Sequence, residues 1–301
     1  MNIEVQSAGV APRWRDLLEL TKPRVVALIV LTSVVGSLMA VPGLPRLDTL
    51  LFANLGVALA AAGAAVFNHL LDRGIDARMR RTQFRPLPSG HLRPAQAFYF
   101  ALALIGASTV LLLREVNVLT AILTFASLLG YAVIYTVWLK RMTPQNIVIG
   151  GAAGAAPPIL GWTAITGHIA PQALLLFLII FVWTPPHFWA LAIARRADYA
   201  KVNIPMLPVT HGVAFTQRAI LRYTIALTAV TALPFLMRMS GLVYLVAAAV
   251  LDAGFLWHAF ALKRLQSDAA AMRVFRYSIA YLLWLFVALL LDHYLPTTQR
   301  S

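Results

Sequence analysis

Apolar segments long enough to cross a lipid bilayer recur roughly every thirty residues along this 301-residue chain. Inside lipid, backbone N–H and C=O groups must be paired within the segment itself, so such segments form helices. They are also too long and too evenly apolar to be strands of a membrane barrel. The sequence therefore predicts an all-α polytopic membrane protein with a bundle of nine transmembrane helices. The predicted helices cover residues 24–42, 50–71, 96–113, 118–138, 146–166, 172–194, 219–237, 241–262 and 277–295.

The distribution of basic residues predicts how this bundle is oriented. With the N-terminus in the cytoplasm, 21 of the 25 Lys and Arg residues fall on the cytoplasmic side. Cytoplasmic loops of membrane proteins carry such an excess of Lys and Arg. We therefore expect a cytoplasmic N-terminal segment at 1–23, a transmembrane domain at 24–295 and a short C-terminal tail at 296–301 on the outer side.

Charge and cysteine content exclude two classes of function. A net charge of +14 would favour nucleic-acid binding in a soluble chain, but here the basic residues lie in short loops between apolar segments, where they set topology. We expect no nucleic-acid partner. The chain has no cysteine, which excludes disulfides and thiolate metal sites. The first 24 residues also lack the apolar core and cleavage site of a signal peptide.

Four of the eleven acidic residues lie where a charge is costly. Seven fall in loops, in the N-terminal segment or at outer helix ends, where water solvates them, and Asp292 is placed in this group. The other four are Asp72, Asp76, Asp198 and Asp252. A carboxylate at the centre of a transmembrane helix costs about 2.5–3.5 kcal/mol on insertion scales, so these four are functional candidates.

Asn68, Asp72 and Asp76 are spaced by four residues and therefore share one face of a helix, at its cytoplasmic end. Two carboxylates and an amide oxygen on one face are the hard oxygen ligands that Mg²⁺ prefers. The alternative is that the two acids pair with Arg73, Arg78 or Arg80 at a solvated helix end.

Asp198 follows Asp72 by 126 residues, or four predicted helices, and the loops after the two acids are similar in sequence. "RPLPSGH" follows the first acids and "IPMLPVTHG" the second. We interpret this as a weak four-helix internal repeat with a ninth helix appended. The two loops would then meet on the cytoplasmic face and bring Asp198 to the first acids. Acids that hold a metal, with excess basic side chains, fit a diphosphate ligand. The basic residues nearby are Arg81, Arg85, Lys140, Arg141, Arg195 and Arg196.

Three long segments resemble the UbiA-type intramembrane prenyltransferases, and within them the branch that farnesylates heme. They are "NHLLDRGIDARMRRTQFRPLPSG", "YTVWLKRMTPQNIVIGGAAGAAPPILGW" and "WTPPHFWALAIARRADYAKVNIPMLPV". The resemblance implies a nine-helix bundle that binds farnesyl diphosphate and Mg²⁺ at the cytoplasmic face of a bacterial plasma (inner) membrane. It implies transfer of the farnesyl group to a vinyl group of heme B, which gives heme O.

The resemblance also assigns residues. It implies that Asn68, Asp72 and Asp76 form the first catalytic metal motif and Asp198 the second. Arg81, Arg85, Lys140 and Arg141 become the candidate diphosphate contacts. The sequence departs from the aromatic-ring prenyltransferases at His69, where they usually have a further aspartate, and at "DYAKVN", which has one acid where they have two or three. Both departures resemble the heme branch.

His187 and His69 are the candidates for axial heme ligands, because both lie in predicted helices that can face the cavity. The alternative for each is a neutral histidine hydrogen-bonded within the bundle. The expected partners are farnesyl diphosphate, heme B and membrane lipid, with a heme-handling protein or a heme A synthase as a candidate protein partner. Two other functions stay open: prenylation of an aromatic quinone precursor, and secondary transport.

Overall fold

The computed structural model describes residues 14–79 and 81–295, except for the side chain of Arg141. The predicted tail at 296–301 and the first part of the predicted N-terminal segment lie outside these residues. The described residues contain helices and no strands. The α-helices are α1 (Trp14–Leu20), α2 (Pro23–Met39), α3 (Leu47–Asp76), α4 (Pro94–Glu115), α5 (Val118–Leu129), α6 (Lys140–Met142), α7 (Asn146–Ala155), α8 (Pro157–Thr166), α9 (Pro171–Ala194), α10 (Arg196–Lys201), α11 (Leu207–Thr210), α12 (Val213–Leu236), α13 (Leu242–Leu265) and α14 (Asp268–Tyr294), and a π-helix covers Gly130–Leu139.

Eight helical stretches within the described ranges are long and apolar enough to cross a membrane. A ninth is obtained when α1 and α2, which meet at an angle of 52°, are taken as one span. The predicted all-α polytopic membrane protein is confirmed. The predicted starts of the helices at 219 and 277 were too late, because α12 and α14 begin at Val213 and Asp268. Their second turns carry Arg218 and Arg273, which headgroups and water can solvate.

Close packing of α2 against α8 shows how the apolar helices associate. A Cβ atom added at Gly36 would overlap the backbone of Pro158, and one added at Gly161 would overlap the backbone of Ser33. The Ser37 hydroxyl donates to the Gly161 carbonyl at 3.1 Å. Helices in lipid gain stability mainly from such close contact and from interhelical hydrogen bonds, since lipid chains are as apolar as leucine.

The helix α9 lies at the centre of the larger hydrophobic core and packs against α7, α8, α12 and α14. On the other side of the bundle, α3 packs against α2, α4 and α8 and against the π-helix. A π-helix of this length is rare, and π-helical turns are frequent at functional sites. This one leads directly into α6, whose first residue is Lys140.

Asp292 contradicts the prediction that it is solvated. Its side chain is fully buried (0% exposed) and accepts hydrogen bonds from the backbone N–H groups of Gly241 and Tyr244. These donors belong to the start of α13, where the first N–H groups of a helix have no partner within the helix. A carboxylate also suits the positive end of the helix dipole. Asp292 of α14 therefore caps α13.

Asp252 is held within the bundle by neutral groups. The Thr231 hydroxyl donates to its Oδ2 at 2.7 Å, and the Tyr281 hydroxyl donates to its Oδ1 at 2.7 Å. The three residues lie on α13, α12 and α14 respectively, so the carboxylate joins three helices. Both oxygens of this candidate acid are thus occupied by structural hydrogen bonds.

Candidate functional site

The cytoplasmic end of α3 buries two acids and an amide on one face. Asn68, Asp72 and Asp76 are 6%, 4% and 5% exposed. The Asn68 Nδ2 donates to Asp72 Oδ2 at 3.0 Å, as expected for side chains four residues apart on a helix. The same Nδ2 donates to the Thr136 hydroxyl on the π-helix at 3.3 Å. The spacing in the sequence therefore becomes a continuous polar face inside the protein.

Each acid in this cluster is paired with a cation from another part of the chain. Lys140 Nζ donates to Asp72 Oδ2 at 2.5 Å, and Arg85 Nη1 donates to Asp76 Oδ2 at 2.8 Å. Neither acid pairs with Arg73 or Arg78, and neither is solvated. The alternative of a solvated helix end that pairs with Arg73 or Arg78 is therefore wrong, and Arg80, the third arginine of that alternative, lies outside the described residues.

Lys22 is a third cation in this cluster, and the sequence interpretation missed it. Its Nζ donates to Asn68 Oδ1 at 2.6 Å, across 46 residues of chain. Lys22 lies at the bend between α1 and α2 with a φ of 52°. A left-handed backbone is uncommon for a residue that is not glycine and is found at functional or turn positions. The sequence feature that could have identified Lys22 is its position directly before Pro23, the residue that starts α2.

Asp198 lies on α10, just beyond the end of α9, and is partly exposed. It forms no ion pair with any described residue. Its neighbour Tyr199 is influenced electrostatically by Arg81, by Asp198 and by Arg85, which places the second loop near the first. Burial raises the pKa of the Tyr199 phenol and Arg81 opposes this, so the hydroxyl stays protonated and can donate a hydrogen bond.

The structure does not bring all the predicted metal ligands together. Within residues 14–79 and 81–295, no three His, Asp or Glu side chains lie close enough to share one metal ion. Asp72 and Asp76 are together, and Asp198 is not grouped with them. A Mg²⁺ ion needs only one or two carboxylates when substrate phosphates complete its coordination.

The first cluster fits a divalent cation. Asp72 Oδ1 is buried and has no hydrogen-bond partner among the described residues. A buried acceptor without a partner is rare in folded proteins and costs about 1–3 kcal/mol. A cation held between Asp72 and Asp76 would satisfy it with the hard oxygen ligands that Mg²⁺ requires.

The four predicted diphosphate contacts occupy different positions. Lys140 and Arg85 pair with the acids, as described above. Arg81 is exposed and lies near Tyr199. The side chain of Arg141 lies outside the described residues.

The two candidate heme ligands have different surroundings. The ring of His187 is stacked between those of Trp183 and Phe275, with centroid distances of 4.4 and 4.6 Å, and its Nδ1 is 2.7 Å from the Ser278 hydroxyl. This is the alternative of a histidine hydrogen-bonded within the bundle. His69 is buried, and neither of its ring nitrogens has a partner among the described residues.

Two tyrosines on the π-helix also belong to the site and were missed. Tyr131 and Tyr135 are stacked at 5.7 Å, and both interact electrostatically with Asp72. In the sequence they occur in an apolar run, where nothing separates them from packing residues. Their position on the face towards α3 depends on the π-helix, which the sequence pattern did not predict.

Known proteins resemble this chain over nearly its whole length. Residues 29–290 match the UbiA prenyltransferase family. A protoheme IX farnesyltransferase from Methylococcus capsulatus is 60% identical over 282 residues, which cover 94% of this chain and 95% of the relative.

Solved structures show the same fold at lower sequence identity. A digeranylgeranylglyceryl phosphate synthase is 20% identical with a TM-score of 0.78, over 93% of this chain and 98% of that protein. A UbiA homolog from Archaeoglobus fulgidus bound to DMAPP and Mg²⁺ is 15% identical with a TM-score of 0.63, over 91% of this chain and 99% of that protein. The membership predicted from the three quoted segments is confirmed: this chain belongs to the UbiA prenyltransferase family.

Proposed function

We propose that this chain transfers the farnesyl group of farnesyl diphosphate to a vinyl group of heme B, giving heme O and diphosphate. The 60% identical relative is named for this activity. The observation that carries the proposal is the buried cluster at the end of α3, in which Asp72 and Asp76 face three cations. Such a cluster is suited to a substrate that carries several negative charges on phosphate oxygens.

The leaving diphosphate is the group that the three cations are placed to bind. Lys22, Arg85 and Lys140 converge on the face of α3 that carries the acids. When bound, Mg²⁺ would be held by Asp72 and Asp76, with Asn68, and would neutralise the diphosphate. The A. fulgidus homolog binds a prenyl diphosphate together with Mg²⁺. We place Asp198 at the same substrate, where it would act once diphosphate is bound between the two loops.

Reaction begins when the allylic C–O bond breaks and its electron pair moves to the diphosphate. Lys22, Arg85 and Lys140 stabilise the negative charge that develops there, and this stabilisation lowers the barrier. The farnesyl carbon, now positive, takes the π electrons of the heme vinyl group, and the new C–C bond forms. Water then supplies the hydroxyl to the remaining carbocation and releases a proton. The surrounding apolar helices limit earlier capture by water.

Of the two histidines, His69 is better placed to meet heme or diphosphate, because its ring nitrogens have no partner among the described residues. The site lies at the basic end of the bundle, which we assign to the cytoplasmic face of a bacterial plasma membrane. Residues 24–295 form the catalytic domain in this proposal. Heme B arrives through the lipid or from a heme-handling protein, and heme O passes to an enzyme such as heme A synthase.

Membranes that contain the protein test the proposal directly. They are incubated with farnesyl diphosphate, Mg²⁺ and heme B, and the hemes are separated by chromatography. We expect a more hydrophobic heme, which is absent with membranes that carry Asp72→Asn and is lost when EDTA removes the metal. Prenylation of 4-hydroxybenzoate without any new heme would replace heme B by an aromatic acceptor. If neither product forms and farnesyl diphosphate remains intact, the enzyme assignment is contradicted.

A further inference from the structure

A cavity lies beside the candidate active site and shares none of its side chains. It has a volume of about 310 Å³ and lies between the end of α3 and the loop that joins α10 to α11. Leu71, Gly74 and Ile75 line it from α3, at spacings of three and four residues that define one helix face, and Arg78 lines it from the turn after α3. This face differs from the one that carries Asp72 and Asp76. Its volume is that of a small-molecule site.

The polar side chains that line this cavity are those of Arg78 and Asn203, and both are hydrogen-bond donors that face no acid among the described residues. Arg78 is exposed, its Nε donates to the Gly74 carbonyl at 3.3 Å, and it forms no ion pair with any other described residue. Asn203, on the opposite wall, has a left-handed backbone (φ 54°), and its side chain forms no hydrogen bond within the described ranges. None of the described residues that line the cavity is acidic. A guanidinium and an amide facing one space favour an anionic ligand.

Gly74 leaves space that packing does not require. A glycine within a helix destabilises it by about 1 kcal/mol relative to alanine. Gly36 and Gly161 are explained by close backbone contact, but a Cβ atom added at Gly74 meets nothing within 4 Å. The missing side chain enlarges the cavity instead. Its effect is to keep the space next to Arg78 open.

The cavity lies at the depth of lipid headgroups. The 30 residues of α3 extend for about 45 Å, which exceeds the hydrocarbon thickness of about 30 Å. Its cytoplasmic end therefore reaches the headgroup layer. Leu71 is exposed at the mouth of the cavity and offers an apolar surface one turn above Gly74. A ligand with a phosphate and an acyl chain fits both surfaces.

We infer that this cavity binds the headgroup phosphate of an anionic phospholipid. The Arg78 guanidinium pairs with the phosphate, the Asn203 amide donates to one of its oxygens, and the acyl chain lies along Leu71. Basic pockets on the cytoplasmic side of membrane proteins bind phosphate headgroups in this way. One wall of the cavity is the end of α3, which leads into the first loop, and the other wall is the segment after Asp198, which belongs to the second loop. A bound lipid would therefore connect the two loops. Binding of this lipid does not depend on the proposed function.

Lipid binding is measured on the full-length protein, delipidated in detergent and titrated with phosphatidylglycerol, with bound lipid counted by native mass spectrometry. Arg78→Gln removes the phosphate partner, and Gly74→Trp fills the cavity. Each should weaken binding about tenfold, the effect of losing one charge-assisted hydrogen bond. Arg73→Gln and Gly106→Trp are the matched controls, since Arg73 does not line the cavity and Gly106, on α4, also faces open space. The controls should bind as the unmodified protein does, and each variant should elute as a single folded species.

Three results would overturn the inference. Equal loss in Arg73→Gln would mean that phosphatidylglycerol binds through general charge attraction. Unchanged binding in both Arg78→Gln and Gly74→Trp would exclude this cavity. Binding of inorganic phosphate that depends on Arg78, without binding of phosphatidylglycerol, would assign the cavity to a free anion. Farnesyl transfer is measured separately, so failure of lipid binding leaves the proposed reaction untouched.

Discussion

Asp72 and Asp252 are both buried carboxylates in a membrane protein, but they have different hydrogen-bond partners within the bundle. Asp72 faces Lys140, and its Oδ1 has no partner among the described residues. Asp252 accepts one hydrogen bond on each oxygen, from Thr231 and from Tyr281, and faces no cation within hydrogen-bonding distance among the described residues. The first arrangement is incomplete and charged, whereas the second is complete and uses neutral donors.

This difference separates a chemical site from a structural one. A buried acid with both oxygens satisfied has no capacity left for a ligand, and it holds helices together. A buried acid with a free oxygen beside cations retains capacity for a metal and for phosphate. From the sequence alone, Asp72 and Asp252 could not be distinguished, because both are acids in apolar helices. The residues that pair with each of them come from distant segments of the chain.

The largest expected effect comes from Asp72→Asn. The amide keeps the volume and can still hydrogen-bond, but it removes the charge that faces Lys140 and that would hold the proposed metal. We expect farnesyl transfer to fall by about 10³-fold, the scale at which loss of one electrostatic contact to a transition state is felt. The measurement is initial rate at saturating heme B, with the variant's amount in membranes determined by immunoblot.

Asp252→Asn is the matched control for this prediction. It removes one charge from the other buried acid, where one of the hydroxyls of Thr231 and Tyr281 can still donate to the amide oxygen and the oxygen of the other can accept from the amide N–H. Its turnover should stay within about twofold of the unmodified protein, the range of a substitution outside the site. A large equal loss in both variants would erase the distinction between the two acids.

Asp198→Asn should have the second largest effect, about 10²-fold on kcat/KM. Asp198 is partly exposed and unpaired, so its contribution requires bound diphosphate between the two loops. Loss should therefore appear mainly as a higher KM for farnesyl diphosphate. The control is Asp268→Asn, which changes an exposed acid that pairs with Arg196. A fall in kcat with an unchanged KM would place Asp198 at the reacting carbon instead.

Much of the fold could be predicted from the sequence, because the periodicity and length of an apolar helix are local properties. The shared face of Asn68, Asp72 and Asp76 followed from spacing within one helix. Contacts across the bundle could not be predicted this way. Lys22 meets Asn68 across 46 residues, and this contact depends on how α1 and α2 bend against α3.

Asp292 and Tyr135 were misjudged for physical reasons as well. Asp292 lies near the end of α14, where solvation is the ordinary expectation, yet it is buried because the start of α13 offers unpaired N–H groups beside it. Tyr135 looked like a packing residue because its approach to Asp72 requires a π-helix. Both outcomes depend on which helix ends meet, which no single segment encodes.

Lys140→Met should raise the KM for farnesyl diphosphate by about tenfold, the effect of one lost charge-assisted hydrogen bond to phosphate. The methionine keeps the apolar stem of the side chain and removes the ammonium that pairs with Asp72. Steady-state kinetics at saturating heme B give the value. Lys263→Met is the control, because Lys263 is an exposed cation at the end of α13. Equal KM values in the two variants would mean that Lys140 only neutralises Asp72.

Tyr281→Phe should have the smallest effect on activity and a measurable effect on stability. It removes the donor to Asp252 Oδ1 and leaves a buried acceptor without a partner, at a cost of about 1–3 kcal/mol. Tm in detergent should fall by a few degrees while turnover is unchanged. Tyr277→Phe is the matched control, since that hydroxyl donates to the Leu251 backbone carbonyl rather than to a carboxylate. Loss of turnover in Tyr281→Phe without a fall in Tm would show that Asp252 takes part in the chemistry, because a structural hydrogen bond acts on activity only through folding.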